Sequence, residues 1–141
     1  MEGGSCIKSL DLIFGCGYII CGIMELLSFA GINLSDVFTG DLFGSIALLT
    51  IGSVYLVGFK KSIHDSIRGV SYGYTASLMG VGIAIIYILT IVSNALGYYV
   101  GMDDYADWCE ISIYLILGII TVIPFYMAKN IQKSSLKNAK Y

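Results

Sequence analysis

Residues 72–97 read YGYTASLMGVGIAIIYILTIVSNALG, and no charged side chain occurs between Arg68 and Asp103. A helix needs roughly 20 apolar residues to cross about 30 Å of hydrocarbon. This run therefore predicts a transmembrane helix, and its excess length is absorbed by tilt or by extension into the headgroups. The same spacing of charges recurs on either side. Between Asp11 and Asp36 the only charge is Glu25, and none lies between Asp41 and Lys60 or between Glu110 and Lys129. The reading is an all-α, polytopic four-transmembrane-helix bundle. It has one transmembrane domain over 1–141, helices at about 12–32, 42–59, 72–97 and 111–128, and a polar tail at 129–141.

Composition agrees. The 141 residues are 57% hydrophobic and 13% charged, where a soluble domain is about a quarter charged. Mean hydropathy is +0.81. A net charge of −2 gives no basic surface for nucleic acid. The first apolar stretch is too long for a cleaved signal, carries Glu25 and is preceded by Lys8 alone among basic residues.

All eight basic residues fall on one side of a four-span chain. Lys8 precedes the first span; Lys60, Lys61 and Arg68 separate the second and third; Lys129, Lys133, Lys137 and Lys140 follow the fourth. The other side holds Asp36, Asp41, Asp103, Asp104, Asp107 and Glu110. Short loops rich in Lys and Arg stay cytoplasmic, so both termini are expected inside, in a cell membrane. Tyr98, Tyr99, Tyr105 and Trp108 gather at the outer edge, and Tyr72, Tyr74 and Tyr126 near the inner one, where amphipathic rings favour the headgroup layer. The central stretch 60–68 is expected to lie on the membrane surface as a short helical turn, with Ile63 and Ile67 buried in lipid.

Glu25 is the most informative residue. An ionised carboxylate within a span is costly unless it is protonated, paired or beside water. No span contains Lys, Arg or His, so a neutral, hydrogen-bonded Glu25 is expected. Thr90, Asn94 and Tyr114, with Ser93 and Ser45, sit at similar depth, and Glu25, Thr90, Asn94 and Tyr114 form the candidate intramembrane polar site. Ala76, Gly80 and Ala84 recur every four residues on the third helix and mark a smooth packing face.

A weak internal repeat is visible. A shift of 65 lays Gly15, Gly17, Ser28 and Ala30 on Gly80, Gly82, Ser93 and Ala95, and a shift of 66 lays Asp41, Gly52 and Phe59 on Asp107, Gly118 and Phe125. Both halves would run in–out–in, a parallel repeat about the membrane normal. Cys6, Cys16, Cys21 and Cys109 lack metal or redox spacing and read as small apolar packing residues. His64 reads as a solvated loop residue, and the outer acids as a solvated loop. No Gly-rich phosphate loop, nucleophile elbow or zinc motif occurs, so no cofactor or metal and no enzymatic activity are expected.

Glu25, with Gly80-Val81-Gly82 on the third helix, resembles the membrane-embedded glutamate and helix-three glycines of the small multidrug resistance transporters. The resemblance covers those residues alone. It implies an oligomeric transporter built around Glu25, whereas the longer polar loops and one-sided charge depart from that family.

Two main function classes follow. One is a non-catalytic accessory or structural subunit whose partners are the lipid bilayer and other membrane proteins, or further copies of itself. The other is an oligomeric proton- or cation-coupled transporter or channel using Glu25. The direction of Glu25 separates them: facing the bundle and hydrogen-bonded it is structural, facing a cavity it serves transport, and facing lipid it awaits a partner.

Overall fold

A computed structural model describes residues 3–32, 37–101 and 112–138. Its four helices are α1 (Gly3–Phe29), α2 (Leu42–His64), α3 (Ser66–Tyr99) and α4 (Ile113–Asn138). Each contains a segment long and apolar enough to cross a membrane: Lys8–Phe29, Leu42–His64, Ile67–Tyr99 and Ile113–Ile131. Successive helices pack against each other, α1 on α2, α2 on α3 and α3 on α4, and α1 also meets α4 to close the bundle. One end carries Lys60 and Lys61, the other Asp41; these are called the basic and acidic ends.

Three boundaries differ from the sequence reading. First, α1 begins well before residue 12, so Asp11 lies inside the bundle at 2% exposure. Second, residues 60–64 continue α2, and α3 starts at Ser66, leaving Asp65 as the entire connection. Asp65 is extended (φ −144°, ψ 104°); its amide donates to the Lys61 carbonyl while its carboxylate accepts from the amides of Ile67 and Arg68. One residue thus caps both helices, and no surface-lying turn forms. Third, the stretch after residue 128 stays helical to Asn138, with Ile131 packed on Val70 and Ala128. Tyr105, Trp108, Cys109, the acids Asp36, Asp103, Asp104, Asp107 and Glu110, and Lys140 lie outside the described residues.

The core is Tyr18, Leu48, Ile51, Tyr55, Ala76 and Tyr114. The outward faces are apolar, with Ile13, Ile20, Ile85, Ile86, Leu89, Leu96, Ile119 and Ile123 exposed, as lipid-facing surfaces must be. A helix hydrophobic all round and buried only in part belongs in lipid.

Helix contact relies on small residues. Ala76, Gly80 and Ala84 are all buried on α3. A side-chain carbon on Gly80 would lie 2.6 Å from the Tyr18 hydroxyl and 2.9 Å from Thr121 Cγ2. In the first hairpin, a Cβ on Gly52 would lie 3.0 Å from the Gly15 carbonyl and 2.7 Å from Ile19. In the second, a Cβ on Gly118 would lie 3.1 Å from the Gly80 carbonyl and overlap Ala84. The shifts of 65 and 66 carry Gly15, Ile19 and Gly52 onto Gly80, Ala84 and Gly118. The two hairpins therefore cross at equivalent points, which is how the weak sequence repeat acts in packing. Gly82 is different: nothing lies within 4 Å of its added carbon.

These contacts set a pair of expectations. Gly118→Leu overpacks the α3–α4 crossing, at a cost of about 1–3 kcal/mol or more, and should markedly lower the thermal unfolding midpoint in detergent. Gly82→Ala should leave it unchanged or raise it. Equal losses for both would contradict the packing described.

Candidate functional site

Glu25 lies four residues before the end of α1 and is 0% exposed. It is near the acidic end, in an apolar segment that runs Lys8–Phe29 and so lies nearer the N-terminus than 12–32. The helix stops just beyond it at Gly31 (φ +92°), where the Gly31 amide donates to the Ser28 carbonyl and the Ile32 amide to that of Leu27. This is a glycine-based Schellman stop. The chain returns through Gly40 (φ +70°), whose added carbon would sit 3.2 Å from the backbone of Ser28 and Phe29. Asp41 then caps α2, accepting from the amides of Phe43 and Gly44 at 3.0 Å each.

That return places three donors on one carboxylate oxygen. Glu25 Oε1 accepts from Thr39 Oγ1 (2.8 Å), from the Asp41 amide (3.2 Å) and from the Tyr114 hydroxyl (2.7 Å). Tyr114 reaches it because Gly44 has no side chain: a carbon there would overlap the phenol oxygen. Its ring stacks on Tyr87 with centroids 5.4 Å apart. The Ile113 amide also donates to the Val37 carbonyl (3.4 Å), tying the returning loop to the start of α4. Among the described residues, Glu25 Oε2, in contrast, is buried with no hydrogen-bond partner, and so is Ser28 Oγ one turn further along α1. Tyr114 also borders a shallow, mostly apolar groove of about 280 Å³ between α2 and α3, lined among others by Phe43, Ala47, Ile83 and Ile86.

Of the four sequence candidates, the structure brings Tyr114 onto Glu25. Thr90 is exposed on α3 and donates back to the Ile86 carbonyl at 3.1 Å. Asn94 is half-buried on the same helix, and among the described residues it has no bond to Glu25. Similar depth along two helices did not mean a shared face. Ser45 is buried but donates to the Leu42 carbonyl.

A second polar layer escaped the sequence reading. At the bundle centre Tyr18 bonds Thr121 (2.6 Å) and Tyr55 bonds Ser77 (2.8 Å). Thr121 and Ser77 spend their own protons on the carbonyls of Leu117 and Gly73, so the two phenols are the donors. Each helix gives one hydroxyl. Closer to the basic end, Asp11 packs on α3 where Gly73 leaves room; a carbon there would lie 2.6 Å from Oδ1, and Oδ2 has no partner. Asp11, Tyr18 and Glu25 are seven apart on α1, two helical turns each. That heptad of polar residues was the available signal.

The Glu25 layer is set apart from the central hydroxyls by apolar side chains. Leu48 and Ile51, both 0% exposed, fill the core between the central hydroxyls and Tyr114. Among the described residues no group of three or more His, Cys, Asp or Glu converges as a metal site.

The family described as MJ0565 integral membrane domain matches residues 2–130. An uncharacterized protein, MJ0565, of Methanocaldococcus jannaschii is 39% identical over 137 residues, covering 92% of this chain and 93% of its own. No solved structure matches the chain.

Tyr114→Phe removes one of the three donors to Glu25 and is expected to lower stability in detergent by about 1–3 kcal/mol. Thr90→Val, outside the cluster, should change it little. Thermal unfolding of both variants checks the assignment, and a Thr90→Val loss matching that of Tyr114→Phe would refute it.

Proposed function

The chain belongs to the MJ0565 integral membrane domain family, and from that premise we propose that it is a non-catalytic accessory or structural subunit that works by contact with other membrane proteins. One observation carries this reading: the interior is filled and committed to holding the helices together. Glu25 faces the bundle and takes three hydrogen bonds from its own chain. Leu48 and Ile51 close the centre. Contact with other molecules is then left to the outer faces. The longest of these is on α3, whose 34 residues span about 51 Å and expose Ile85, Leu89, Val92, Leu96 and Tyr99. These positions follow the three- and four-residue spacing of a packing stripe.

The second reading, proton- or cation-coupled transport by an oligomer around Glu25, has one observation in its favour. Glu25 Oε2 is buried without a partner, so the carboxylate keeps capacity that the bundle does not use.

A photo-crosslinking residue at Leu89 tests the choice in native membranes. The subunit reading expects a discrete adduct with a different, larger membrane protein. Adducts only at multiples of this chain's 15.3 kDa would sink it and turn attention to transport by Glu25→Gln in vesicles.

Orientation belongs to the same proposal. The basic end, with Lys60 and Lys61, faces the cytoplasm of a cell membrane, and both termini with it. With the native cysteines replaced, Lys61→Cys should resist a membrane-impermeant maleimide in intact cells and react after lysis. A cysteine at Phe43, 81% exposed at the acidic end, should label in intact cells. The reverse pattern would invert the assignment.

A further inference from the structure

We infer that the turn of α1 bearing Glu25 and Ser28, roofed by residues 39–41, is a binding site for a small monovalent cation such as sodium. The inference goes beyond the subunit reading and does not require transport.

The first observation is the distribution of hydrogen bonds on one carboxylate. Three donors converge on Glu25 Oε1 within 3.2 Å, while among the described residues Oε2 receives none although the residue is 0% exposed. A buried carboxylate oxygen without a donor is costly. The second observation is independent. Ser28 Oγ, at i+3 on the same helix and so a neighbour of Glu25, is also buried and also without a partner. Two orphaned oxygens beneath one loop describe a place that lacks a positive group, not a donor–acceptor pair that failed to meet.

The surroundings favour a cation. The site lies at the C-terminal end of α1, where the helix dipole presents negative charge. Thr39 Oγ1 and Tyr114 Oη donate to Oε1 and keep lone pairs free to accept. All of these ligands are hard oxygens, as small hard cations prefer. No Lys or Arg occurs between Lys8 and Lys60, or between Arg68 and Lys129, so α1, α2, α3 and α4 bring no basic side chain to this end.

Charge balance selects a monovalent ion. The charged groups in the described structure near the site are Glu25 and Asp41. Asp41 already spends both carboxylate oxygens on the Phe43 and Gly44 amides at the start of α2, where the helix dipole offsets it. Among the described residues, an ionised Glu25 then leaves one negative charge for a cation to balance. A divalent ion would need six or more oxygens and more anionic ligands than this cluster offers.

The test is thermal unfolding of the full-length protein in detergent, at fixed pH and constant ionic strength, with sodium chloride replacing choline chloride. An ion that binds the folded state alone raises the midpoint in a saturable way. The expected result is such a rise. Ser28→Ala should move the half-saturating sodium concentration up about tenfold, the loss of one ligand's worth of binding. Glu25→Gln should abolish the response; if that variant does not fold, Ser28→Ala alone decides. Identical curves in sodium and choline would overturn the proposal. So would an undiminished response in Ser28→Ala, a selective response to calcium, or stabilisation by acid with no dependence on sodium, which would mark a proton as the occupant.

Discussion

The 2.7 Å hydrogen bond from the Tyr114 hydroxyl to Glu25 joins the last helix to the first. Neighbouring helices in the chain are held by close packing of small and apolar residues, with the Tyr55–Ser77 hydrogen bond added between α2 and α3. The α1–α4 seam that closes the ring depends on polar contacts, this one at the acidic end and Tyr18 with Thr121 at the centre. In hydrocarbon a polar group finds no water to bond, so an internal partner confers position as well as energy. Glu25 also takes the Asp41 amide and the Thr39 hydroxyl. The start of α2 and the start of α4 are thereby set against the end of α1 by a single oxygen.

Much of the fold was legible because a bilayer constrains sequence more tightly than water does. Charge-free runs located the four spans, and the membrane family agrees with them. Helix ends were less legible. Lys60, Lys61 and His64 look like a loop by charge, yet a helix can carry charges past the hydrocarbon edge without ending. Only the capping geometry of Asp65 marks the break. The polar residues 129–138 gave no sign that α4 continues through them, where Ile131 packs on the core of that end.

The site was half legible. Glu25 stood out because a charge within an apolar span is rare, and Tyr114 was in reach of it by depth. Thr90 and Asn94 matched in depth, but Thr90 is exposed and neither bonds Glu25 among the described residues, because depth alone cannot give rotation. Thr39 and Asp41 were hidden because a loop's return path is not encoded by periodicity. Their signals were short-range: Gly31 for the helix stop, Gly40 for the turn back and Asp41 as an N-cap. Asp11 served in the sequence as the border of a span, and Gly73 opposite it is what admits it to the interior.

The one-residue junction at Asp65 gives the bundle unequal mechanical freedom at its two ends. At that junction α2 and α3 share a pivot with no slack, so displacement of one against the other there is a rotation about a single pair of dihedral angles. At the opposite end α1 and α2 are joined through residues 30–41, and there Thr39, Gly40 and Asp41 lie against the end of α1 through noncovalent contacts. The two ends are thus tied by different means: by the covalent geometry of one residue beside Lys60 and Lys61, and by three hydrogen bonds on a single carboxylate oxygen at the acidic end.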